Sequence, residues 1–107
     1  MRLLVSQDLG VTYKPVQEGS LEELSILGEQ YDIEMLRWVI LDEDENIVQA
    51  CKILNARVGA VLEQRAATGR PVMMVTEDQY LTKLLRDASF TLGEFVARMQ
   101  QEKKGLH

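Results

Sequence analysis

The sequence predicts an α+β fold: an N-terminal ββαββ unit followed by two or three C-terminal helices. Three observations carry this. Short β-branched or bulky apolar runs at 3–5 and 35–41 are each bounded by turn-forming residues. A helix with a strong N-terminal signal separates them, at Ser20-Leu21-Glu22-Glu23. From Leu54 onward the apolar residues recur at helical spacing. The boundaries are 1–53 for the sheet unit and 54–107 for a helical part packed on it, within a single domain 1–107, an ordinary length for one domain.

Leu3-Leu4-Val5 reads as the first strand and Val11-Thr12-Tyr13-Lys14-Pro15-Val16 as its partner, joined through Asp8-Leu9-Gly10. Glycine suits such a turn because it reaches positive φ at no steric cost. The stretch Ser6-Gln7-Asp8-Leu9-Gly10-Val11-Thr12-Tyr13 resembles the Asp-box, Ser/Thr-x-Asp-x-Gly-x-Thr-Trp/Phe, known from sialidase propellers and other β proteins. Ser6, Asp8, Gly10 and Thr12 match, and Tyr13 stands where the motif has Trp or Phe. The resemblance covers 8 of 107 residues. It implies a β-hairpin with Asp8 bonding backbone N–H groups in the turn, and no glycosidase activity.

In the helix that follows, Ser20 is the N-cap, Glu23 completes a capping box, and Leu21, Leu24 and Leu27 share a face. Gly28 weakens its last turns, and the expected end is near Tyr31. Met35–Leu41 is the best strand, with Leu36, Trp38 and Ile40 on one face. Two readings then compete. Either Asp42–Asn46 is a hairpin turn and Ile47 to about Cys51 is a fourth strand, or Asp42 caps a helix that starts at once. The hairpin is preferred because it completes the ββαββ unit. A helix from about Leu54 to Ala67 ends at Gly69 and Pro71. Val72–Val75 is a strand or a buried connector. Thr76 with Gln79, and Thr91 with Glu94, read as N-caps of two further helices meeting near Ser89, with Gly105 as the last stop. Val75 against Tyr80 would form a hydrophobic staple.

The chemistry-bearing residues are few. The single histidine is His107 and the single cysteine Cys51. Neither a Cys/His zinc site nor a disulfide framework can be built from these, and a histidine-based triad is not expected. Cys51 is expected to be a buried structural thiol. Asp42-x-Asp44-x-Asn46 matches the first ligand positions of a calcium loop. Ile47 then stands where that loop needs glycine, and Ile53 where it needs a bidentate Glu. No Gly-rich phosphate loop is present, and no apolar run approaches a membrane span. No cofactor and no metal are expected.

The formal net charge of −5 is unevenly spread. Residues 1–51 hold three basic and eleven acidic groups, and 52–107 hold nine basic and six acidic groups. An acidic half disfavours nucleic acid and suits a basic protein partner. The expected function is therefore a small non-enzymatic cytosolic interaction or regulatory protein, of the kind phages and mobile elements encode. It would bind a protein partner through Glu18, Glu22, Glu23, Asp42, Glu43, Asp44 and Glu45. Met73, Met74, Phe90, Phe95 and Met99 form either core or an adaptable partner surface, and separately a homodimer through the C-terminal helices is an expected option. The alternative is a nucleic-acid-binding regulator using 72–104, whose order is similar to a ribbon-helix-helix. The N-terminus turns acidic too soon for an export signal, so a cytoplasmic location is expected.

Overall fold

A computed structural model describes residues 1–70 and 76–87. The chain order is β1 (Arg2–Ser6), β2 (Lys14–Glu18), α1 (Leu21–Ile33), β3 (Arg37–Leu41), β4 (Ile47–Ala50) and α2 (Lys52–Thr68). A further helix, α3, covers 79–87. The four strands form one antiparallel sheet in the order β2-β1-β3-β4. The fold class is α+β, as the sequence predicts.

The fourth strand settles the competition around Asp42 in favour of the hairpin. Asp42 does not cap a helix. Its Oδ1 accepts from the N–H groups of Asp44 and Asn46, both at 2.9 Å, and so closes the turn between β3 and β4. Val11–Tyr13 belong to the loop rather than to β2, which starts only at Lys14. Asp8 is the reason. It accepts from the N–H of Thr12 at 2.9 Å and from the Thr12 hydroxyl, holding that stretch in the turn. Ser6 Oγ donates to Asp8 Oδ1 at 2.7 Å and accepts from Gly10 N–H at 2.8 Å.

β2 is an edge strand, exposed along its whole length, where Pro15 is tolerated. β3 is the opposite case. Every residue of Arg37–Leu41 is buried. Side chains alternate across a strand, so both faces of the sheet are covered there. Reading only Leu36, Trp38 and Ile40 as an inward face missed half of this; Leu36 itself lies before the strand and is half-buried.

α1 starts as expected, with Ser20 Oγ accepting from Glu23 N–H at 3.2 Å. It runs past Tyr31 to Ile33. Gly28 does not loosen it but seats Trp38: a Cβ at Gly28 would lie 2.5 Å from Trp38 Cζ2. Asp32, near the end of α1, accepts from Trp38 Nε1 at 3.1 Å and from the backbone N–H of Lys52 at 3.2 Å. Its carboxylate therefore serves the first turn of α2, where the N-cap residue Cys51 makes no side-chain bond. Cys51 is fully buried, and α2 ends with Gly69 in the left-handed region at φ 62°. One core cluster joins Leu3, Trp38, Ile40, Leu24, Leu54, Val61, Leu81 and their neighbours.

The expectations for Val72–Val75, the helix capped by Thr91, the junction near Ser89, Gly105, and the Met73, Met74, Phe90, Phe95 and Met99 surface lie outside the described residues. So does the Val75 side of the staple.

Candidate functional site

The N-cap of α3 is Asp78, not Thr76. Asp78 Oδ1 accepts from the N–H groups of Tyr80 at 3.0 Å and Leu81 at 3.1 Å, two of the donors a helix start leaves unpaired. Thr76 plays a lesser part, accepting from Asp78 N–H through Oγ1 at 3.1 Å. Position 78 precedes the apolar residues Leu81, Leu84 and Leu85 at helical spacing, a signal that could have placed the cap.

The second oxygen of Asp78 makes the long-range contacts. Arg37 Nη1 donates to Oδ2 at 2.9 Å, and the Tyr13 hydroxyl donates to the same oxygen at 2.7 Å. The Asp78 side chain is fully buried and that of Arg37 is 9% exposed. A carboxylate taken from water survives only when paired and hydrogen-bonded, and Asp78 has four donors across its two oxygens, one of them the Arg37 cation. The Tyr13 and Tyr80 rings meet edge to face with centroids 4.6 Å apart. Gly10, at φ +91°, lies so close that a Cβ there would fall 2.0 Å from Asp78 Oδ2. One carboxylate thus joins the 7–13 loop, β3 and α3. Burial, then the bond to Asp78, pushes the Tyr13 phenol above its ordinary range. Neither Asp78 nor Arg37 stands out in the sequence, because their partners are remote in the chain.

The sequence-predicted acidic residues divide. Glu18, Asp42, Glu43 and Glu45 line one open groove with Met1, Arg2 and Gly19. Within it Arg2 Nη2 stands 3.0 Å from Glu45 Oε1; Lys83, which is not part of the lining, donates through Nζ to the Glu45 carbonyl at 2.9 Å. Glu22 and Glu23 line a separate shallow groove with Leu21, Ile26 and Glu29. Asp44 belongs to neither lining. The Asp42 carboxyl is held below its usual range, chiefly by the backbone N–H of Asn46. Among the described residues no three His, Cys, Asp or Glu side chains converge to hold a metal ion. No helix among them is long and apolar enough to cross a membrane.

No family model matches the chain, and no solved structure matches it significantly. Its curated relatives are large chains of carbamoyl phosphate synthase. That of Micrococcus luteus is 37% identical over 84 residues, covering 78% of this chain and 7% of the relative. That of Pseudarthrobacter chlorophenolicus is 36% identical over 93 residues, covering 86% and 8%. That of Streptomyces coelicolor is 36% identical over 84 residues, covering 78% and 7%. Matches of this length must take in the stretch from β3 to Asp78, and therefore both members of the buried ion pair. The chain spans less than a tenth of the length of these relatives. The expectation of a non-enzymatic interaction protein, with its nucleic-acid-binding alternative, is corrected by this finding: the similar proteins are parts of an enzyme.

Proposed function

We propose that the chain is a unit of a carbamoyl phosphate-forming enzyme, corresponding to one small segment of the synthase large chain. The observation that carries this reading is the 36–37% identity spread over 78–86% of this chain. The buried junction at Asp78 supports it from the physical side. It fixes the 7–13 loop and the start of α3 to the central strand, giving a unit with a defined surface to present within a larger enzyme.

The test is a chimera. The matching segment of the Micrococcus luteus large chain is replaced by this chain, and carbamoyl phosphate formation is measured beside the parent and beside a version lacking the segment. Formation restored to within about tenfold of the parent, against none without the segment, supports the reading; a folded chimera no better than the deletion overturns it.

A further inference from the structure

α1 packs on β3 and β1 and leaves β2 bare, every residue of Lys14–Glu18 being exposed. A cleft of about 430 Å³ opens over β1, between Tyr31 in the last turns of α1 and the 7–13 loop with the start of β2. That volume falls within the roughly 300–1,000 Å³ of small-molecule sites. Val5, opposite both Trp38 and Lys14 in the sheet, lines the cleft and is 6% exposed. Val16 adds a second apolar side chain at the open edge, 45% exposed.

The polar groups of the lining are unequal. Asp8 is its one carboxylate, and three donors already occupy it: the Thr12 N–H, the Thr12 hydroxyl and the Ser6 hydroxyl. The Lys14 ammonium, the Gln7 amide and the Tyr31 hydroxyl also line the cleft. Among the described residues none of these three side chains has a hydrogen bond or an ion pair. The cleft therefore holds more free donors than free acceptors, with one cation among them. Its wall is set before any ligand arrives. Gly10 N–H is tied to Ser6 Oγ and the Tyr13 hydroxyl to Asp78, which holds the loop carrying Gln7, Asp8 and Thr12.

We propose that this cleft binds a small organic anion, a carboxylate or a phosphate monoester. Its charged head sits at Lys14, Gln7 and Tyr31, and its apolar body lies against Val5 and Val16. An anionic head is rich in acceptors and satisfies donors that nothing in the unit occupies. An apolar body covers valine surface now facing water. A cation does not fit, because Lys14 repels it and the Asp8 oxygens are taken. None of this depends on the function proposed above.

The test is a titration of the full chain with benzoate and with phenyl phosphate, read from backbone amide NMR signals. Benzyl alcohol and inorganic phosphate run beside them, as the apolar body and the charged head alone. Gln7, Thr12, Lys14 and Tyr31 should shift together and saturate, with a Kd of about 1 mM or tighter for at least one of the two anions. The tighter of the two assigns the head group. Lys14→Met should weaken that binding about tenfold. The thermal midpoint should stay in place, since an exposed edge residue does not set it. Benzyl alcohol or inorganic phosphate binding as tightly as the combined probe would overturn the proposal. So would an unchanged affinity in Lys14→Met, shifts centred away from the cleft, or no saturation with either anion.

Discussion

Arg37 and Asp78, 41 positions apart in sequence, form an ion pair of 2.9 Å that is almost wholly closed to water. A buried pair of this kind is weak evidence for stability, because both charges have left water. Breaking it is another matter. Asp78→Ala strands the Arg37 charge, unpairs the Tyr13 hydroxyl and removes the N-cap of α3. A loss of about 3–5 kcal/mol is expected in urea unfolding. Arg37→Met combined with Asp78→Asn leaves no buried charge and should cost less than the two single losses added together. Additive losses would show that the pair is not coupled.

Tyr13→Phe removes one donor from Asp78 Oδ2 and leaves the edge-to-face contact with Tyr80 in place. It should cost about 1–2 kcal/mol. The same phenol governs behaviour in alkali. Its folded pKa lies above the unfolded value of 10.0, so its contribution is fully present below pH 10 and is lost as pH rises beyond it. Ultraviolet titration should find Tyr13 protonated until the chain unfolds. Reversible ionisation near pH 10 in the folded state would refute this.

Asp8 should govern part of the acid limb. Its carboxyl is lowered from 3.8 to about 2, first by the Thr12 hydroxyl, then by the Thr12 N–H and by Ser6. A lowered folded pKa gives a contribution present above pH 3.8 and lost as pH falls toward about 2. Thr12→Val should move the Asp8 midpoint up toward 3.8, read by carboxyl NMR titration. An unchanged midpoint would assign the shift elsewhere.

Gly28→Ala sets two terms against each other. Alanine improves helix propensity by about 1 kcal/mol. Its Cβ would meet the Trp38 ring at 2.5 Å, and overpacking of this kind costs about 1–3 kcal/mol. The ring is rigid and bonded to Asp32, so the clash should win and the protein lose stability. Trp38 is the single tryptophan, and its fluorescence should shift in the folded variant.

Much of the fold was legible in local signals. Ser20 and Gly69 bound their helices because a cap is decided within a few residues. The hairpin at Asp42 was legible because a short carboxylate in a turn bonds its own backbone. The candidate site was not legible. Asp78 takes its meaning from Arg37 and Tyr13, and Gly28 from Trp38; nothing near those positions in the sequence announces the partner. Charge counting drew attention to the exposed acidic residues instead, and composition pointed away from an enzyme. The relatives that the chain resembles are named as an enzyme's large chain, and the match spans less than a tenth of their length, which composition alone cannot reveal.

The most direct measurement is carbamoyl phosphate formation by the large-chain chimera, run with the wild-type unit and with Asp78→Ala. The wild-type unit should restore formation, and the variant should lose it in step with its loss of folding. A wild-type chimera that is folded and inert would contradict the account.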